Sequence, residues 1–158
     1  MGARFLCRFD KGNPFYIIYR NVGEKMQLQI STDYAVRILQ YLHKHKEDLP
    51  TAMTISQSIG ITYPFFIKIA NQLKQKGLLS AVQGRNGGYR LARSAEQVSI
   101  YDVFLAIEGE LQINRCLNPE QGCTKGEVHT CKFHKFLRNL QDKLIEEMTG
   151  QSIADFVH

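Results

Sequence analysis

The 158-residue sequence holds no tryptophan, four prolines and four cysteines. It has no apolar run near the roughly 20 residues that a bilayer-spanning helix needs, which excludes a helical membrane protein. The stretch from Met1 to Phe5 lacks the continuous apolar core of a secretory signal, so a cytoplasmic protein is expected. Charge of one sign is also in short supply. With 20 Lys+Arg against 15 Asp+Glu, the net +5 permits nucleic acid as a partner without demanding it. Missing too are the parts of an enzyme. No nucleophile or acid/base pair stands out, and His43, His45 and His129 have no evident catalytic partner. The glycines from Gly84 to Gly88 lack the Gly-Lys-Ser/Thr ending of a phosphate loop, and no helix follows them. No enzymatic activity is expected.

Apolar residues make up 44% and charged residues 22%, so the chain can bury a core, and its length suits one domain or one domain plus an arm. Residues 1–25 read differently from the rest. Gly12, Asn13, Pro14 and Gly23 interrupt short aromatic and basic pieces. Arg4, Arg8, Lys11, Arg20 and Lys25 against Asp10 and Glu24 give this segment +3 of the total and leave +2 for the remainder. It is either a basic arm that touches a partner or a leader foreign to the fold, the reading favoured by the compositional break.

From Ser31, the positions Ala35, Ile38, Leu39 and Leu42 repeat at i, i+3, i+4 and i+7, predicting an amphipathic helix that ends near Lys46. Thr54 is placed as the cap of a short helix carrying Ile55 and Ile59 and stopped by Gly60. Thr62 caps a second, with Pro64 in its first turn, a buried stripe of Phe66, Ile69 and Leu73, and Gly77 at its close. Residues 78–83 read as a strand, 84–88 as a glycine-rich turn and 89–92 as the returning strand. The fold expected is mainly α with a small β-wing: a winged helix-turn-helix over residues 26–95. In residues 96–158, Ser99 and Asp102 form a capping pair ahead of Val103 and Ile107, and Gly109 ends that helix. Residues 110–130 form a long loop. After Cys131, Phe133, Leu137, Leu140 and Leu144 recur at alternating steps of four and three, an a/d seam suited to pairing with a second copy of the chain. The plainer alternative is a helix docked on its own core. A final helical turn is expected in residues 152–157.

Two groups of residues carry chemistry. On the helix from Tyr63 to Lys76, the face away from the core stripe is read as Thr62, Tyr63, Pro64, Phe65, Lys68, Gln72 and Gln75, and the wing tip presents Arg85 and Asn86. Hydroxyl, amide and cationic groups are those that reach phosphate oxygens and base edges, so double-stranded DNA is the expected partner. The second group is Cys116, Cys123, Cys131 and His134, spaced Cys-x6-Cys-x7-Cys-x2-His. Thiolates with an imidazole select zinc, copper(I) or iron–sulfur clusters. The paired Cys-x2-Cys knuckles of a zinc ribbon are missing and the wide spacings favour an iron–sulfur cluster, with zinc or no metal as the alternatives. Cys7 is read as a bystander.

Four stretches carry a family resemblance: Ser31-Thr32-Asp33-Tyr34-Ala35-Val36-Arg37, the helix-turn-helix through Leu78, the wing from Gly84 to Leu91, and Arg115-Cys116 with two further cysteines. Over Met26 to about Val157 the chain resembles the small bacterial winged-helix regulators that include IscR, NsrR and CymR. The resemblance implies a cytoplasmic homodimer, probing palindromic operators as a transcriptional repressor, with a long C-terminal dimerisation helix. It implies a 2Fe-2S or 4Fe-4S cluster that answers nitric oxide, iron or redox state, held by Cys116, Cys123 and Cys131. For the fourth ligand it offers His134 in one branch of the family and Asp33, reaching across the dimer, in another. A zinc-stabilised or metal-free winged-helix module for DNA or protein binding is the alternative.

Overall fold

The structure is a computed structural model that describes residues 28–123, 126 and 128–157; the segment 1–25, with Cys7, lies outside them. Helix α1 runs Ile30–Lys44, α2 Ala52–Ile59 and α3 Tyr63–Gln75; strands β1 (Leu79–Val82) and β2 (Gly88–Leu91) follow, then α4 (Ile100–Ile107) and α5 (Lys132–Gly150). Single 3-10 turns occupy Ala95–Gln97, Arg115–Leu117 and Ile153–Phe156. This is the mainly α architecture with a small wing that the hydropathy pattern predicts.

The apolar stripes read from the sequence do face inward. Ile38, Leu39 and Leu42 of α1, Ile55 of α2 and Phe66, Ile69 and Leu73 of α3 are essentially inaccessible to solvent, joined by Leu78 and Leu79 at the base of the wing. The same core takes in Val98, Val103, Ala106 and Ile153, so it draws on both sides of residue 95. Ile153 arrives through the chain's last turn, where its amide donates to the Val98 carbonyl at 2.8 Å and the Ile100 amide donates to Gln151 at 2.9 Å.

Local signals explain most boundaries. Ser99 and Asp102 form a full capping box ahead of α4. At the end of α2, Gly60 adopts φ +76, and the Ile61 amide reaches back to Ser56 at 3.0 Å, closing the helix in a Schellman turn that only glycine enters without strain. The cap of α2 differs from the sequence reading. Thr51, not Thr54, is the N-cap, its hydroxyl accepting from the Thr54 amide at 3.2 Å. Starting the helix three residues earlier buries Ala52 beside Ile55 and Ser56. Gly88 likewise belongs to β2 rather than to the turn, opposite Val82.

Candidate DNA-binding surface and cysteine loop

The helix-turn-helix sets α3 against α1 and α2 with its amino-terminal end open. Thr62, Tyr63, Pro64, Lys68 and Gln75 are exposed. So is Asn71, three residues after Lys68, an amide that the sequence reading passed over although helical spacing puts it beside Lys68. Two of the residues read onto this face belong elsewhere. Phe65 is half-buried and meets the Tyr34 ring edge-on at 5.7 Å between centroids, bracing α3 on α1. Gln72 is half-buried, its Nε2 donating over a long 3.5 Å to the Ile107 carbonyl, and its Oε1 is buried without a partner. It lies against α4 because residues distant in sequence cover that side of α3.

The wing is seated rather than loose. The Tyr89 amide donates to the Pro50 carbonyl at 3.0 Å, and the Tyr89 ring stands edge-on to Phe66 of α3 at 5.1 Å. Burial pushes the Tyr89 hydroxyl above its usual pKa, with a smaller contribution from Tyr63. Gly88 presses so closely on the segment between α1 and α2 that a Cβ there would collide with the carbonyls of Leu49 and Pro50. Arg85 and Asn86 stand exposed at the tip.

Cys116, Cys123 and Cys131 of the loop are each half-exposed. Cys116 lies in the 3-10 turn, its amide donating to Asn114 Oδ1 at 3.1 Å. Cys131 is the N-cap of α5, its Sγ accepting from the His134 amide at 3.4 Å. The loop is tied to α5 where the Ile113 amide donates to Gln141 Oε1 at 3.2 Å. His134 is buried, 6% exposed. Its Nε2 lies 3.1 Å from an Arg138 guanidinium nitrogen, and its Nδ1 is buried with no partner. Among the described residues no three His, Cys, Asp or Glu side chains converge as a metal-binding group, so the structure does not draw these four residues together. As a donor set they nonetheless suit a thiophilic metal or cluster, since they offer three thiols and a buried imidazole whose Nδ1 has no hydrogen-bond partner. Asp33 is on the exposed side of α1, ion-paired with Arg37 at 2.9 Å, whose guanidinium also lies over the Tyr34 ring.

Two short helices joined through a glycine-closed turn, followed by a seated hairpin with an arginine at its tip, define a winged-helix DNA-binding protein. The comparisons with known proteins agree. The family model for Rrf2, the iron-dependent transcriptional regulators, matches residues 28–158, and this chain belongs to that family. It is 33% identical over 133 residues to protein aau3 of Rhizobium meliloti (strain 1021), covering 84% of this chain and 85% of the relative. It is 37% identical over 98 residues to the HTH-type transcriptional regulator NsrR of Shouchella clausii (strain KSM-K16), covering 60% of this chain and 64% of that one. The solved structure of T. potens IscR shares the fold with a TM-score of 0.63 at 20% identity, over 82% of this chain and 85% of that one. The protein is therefore a DNA-binding transcriptional regulator and not an enzyme. No helix among the described residues is long and apolar enough to cross a membrane.

Proposed function

We propose that this regulator is a homodimeric repressor of palindromic operators whose DNA affinity depends on an iron–sulfur cluster, 2Fe-2S or 4Fe-4S, responsive to nitric oxide, iron supply or redox state. The observation that carries the cluster reading is the buried, unpartnered Nδ1 of His134 one helical turn from the Cys131 thiol, on a chain whose family is described as iron-dependent. Cys116, Cys123 and Cys131 supply three thiolates and His134 the fourth ligand. Asp33 of a second copy is the alternative, since its solvent-exposed pair with Arg37 costs little to give up. A cluster bound there supplies a centre that oxidants and nitric oxide can modify. The protein's own part is mechanical. Cys131 caps α5, so a change at its sulfur acts on the first turn of that helix, and α5 is the helix proposed to join the two copies.

On the DNA side, Thr62, Tyr63, Pro64 and Lys68 of the open α3 end enter the major groove, and Arg85 and Asn86 meet phosphate or the minor groove. Phe65 and Gln72 hold α3 in place behind them. Anaerobic purification followed by an absorption spectrum and iron, sulfide and zinc analysis tests the cluster. Visible bands with matching iron and sulfide are expected, and a colourless protein holding zinc would replace the reading with a structural metal site. Cys123→Ala is expected to abolish the chromophore and change operator affinity while the dimer stays folded; unchanged affinity would sink the sensing role. Operator binding should fall steeply with salt, as phosphate contacts require.

A further inference from the structure

The contact between Arg138 and His134 has a chemical consequence for how the histidine can bind a metal. A guanidinium has five N–H donors and no acceptor. At 3.1 Å from His134 Nε2, Arg138 therefore donates into the Nε2 lone pair. A neutral imidazole then carries its one proton on Nδ1, the nitrogen that is buried without a partner. Both nitrogens are closed to a metal in this arrangement, one by an arginine and the other by a proton.

We propose that Arg138 is a gate on His134, holding the ring in the Nδ1–H form and leaving the contact whenever the imidazole ligates. A metal at Nε2 needs the lone pair that Arg138 occupies. A metal at Nδ1 moves the ring proton to Nε2, where it meets the arginine's own N–H groups. In the first case no proton moves, and in the second one proton passes from Nδ1 to Nε2 with none lost from the ring. By either route the Arg138 guanidinium is released. It sits one turn beyond His134 on α5, at an exposed position, so ligation alters the charge pattern that this helix presents. In the second case the unpartnered Nδ1 acquires a role: the metal-free state leaves it unsatisfied, and ligation there relieves it.

The proposal rests on His134 being a ligand, and the test separates the two. Long-range proton–nitrogen NMR of the metal-free, full-length protein should report the Nδ1–H tautomer for His134 in the wild type and a shift toward the Nε2–H tautomer in Arg138→Ala, which leaves no donor at Nε2. An Nε2–H ring in the wild type would overturn the gate. Cobalt(II) serves as the probe of ligation, read through its thiolate charge-transfer and d–d bands. Arg138→Ala and Arg138→Gln should bind cobalt roughly two- to tenfold more tightly, the worth of one hydrogen bond in competition, and His134→Ala should bind it more weakly. If His134→Ala weakens binding and neither Arg138 variant strengthens it, the gate fails while the ligand stands. If His134→Ala leaves cobalt binding unchanged, the ligand reading falls and the gate with it.

Discussion

Lys68 and Gln72 are one turn apart on α3 and both polar, yet they meet different surroundings. Lys68 is exposed, and Gln72 lies against the end of α4 with its amide oxygen unsatisfied. Lys68→Ala is therefore expected to weaken operator binding across sequences and lower the salt slope by about 1, as the loss of one phosphate contact does. Gln72→Met, which replaces that amide by a thioether of similar length, should leave affinity near wild type. Fluorescence anisotropy over a salt series checks both, and a large affinity loss in Gln72→Met would return that residue to the reading surface. The sequence distinguishes Lys68 from the core stripe because helical spacing is local. It does not distinguish Lys68 from Gln72, because what covers Gln72 is Ile107, 35 positions away. The cysteine loop has the same limit. The order and spacing of Cys116, Cys123, Cys131 and His134 are legible, but the burial of His134 and its contact with Arg138 depend on how α5 packs.

Among the elements, the start of α1 shows how a helix can be capped from far away. Its own N-cap, Gln29, makes no side-chain cap. Instead Glu108, just past the end of α4, accepts from the Gln29 amide at 2.9 Å and from the hydroxyl of buried Thr32 at 2.5 Å. A carboxylate at a helix amino terminus is stabilised by both the open amides and the helix dipole. Glu108→Ala leaves the Thr32 hydroxyl without an acceptor and is expected to cost about 1.5–3 kcal/mol. The check is a lower denaturant midpoint at unchanged slope. The Ser99–Asp102 box is legible because both partners lie within one turn. The Glu108 cap is not, because Thr32 and Gln29 lie 76 and 79 positions away from it. Thr51 and Thr54 pose a third case: each satisfies the local rule for a cap, and the burial of Ala52 selects between them.

At the scale of the whole molecule, α5 carries a face that the other described residues leave uncovered. Leu137 is buried, but Phe133 is 61% exposed, Phe136 58%, Leu140 39% and Leu144 37%, and the two phenylalanine rings stack at 6.2 Å. Such a stripe suits pairing with a second copy. Phe136→Asp is expected to shift sedimentation equilibrium toward monomer without lowering the stability of the core, and an unchanged mass would remove α5 from the dimer contact. The wing is fixed twice, through the Tyr89 amide on Pro50 and the Tyr89 ring on Phe66. The core that holds α3 also includes α4 and the last turn. The part of each copy that carries α3 and the wing is therefore packed as one unit, with the wing tied to α3. In a pair joined along α5, the adjustable quantity is then the span between two fixed reading heads, and a turn of a few degrees at the joint is magnified by the lever arm of a whole protomer.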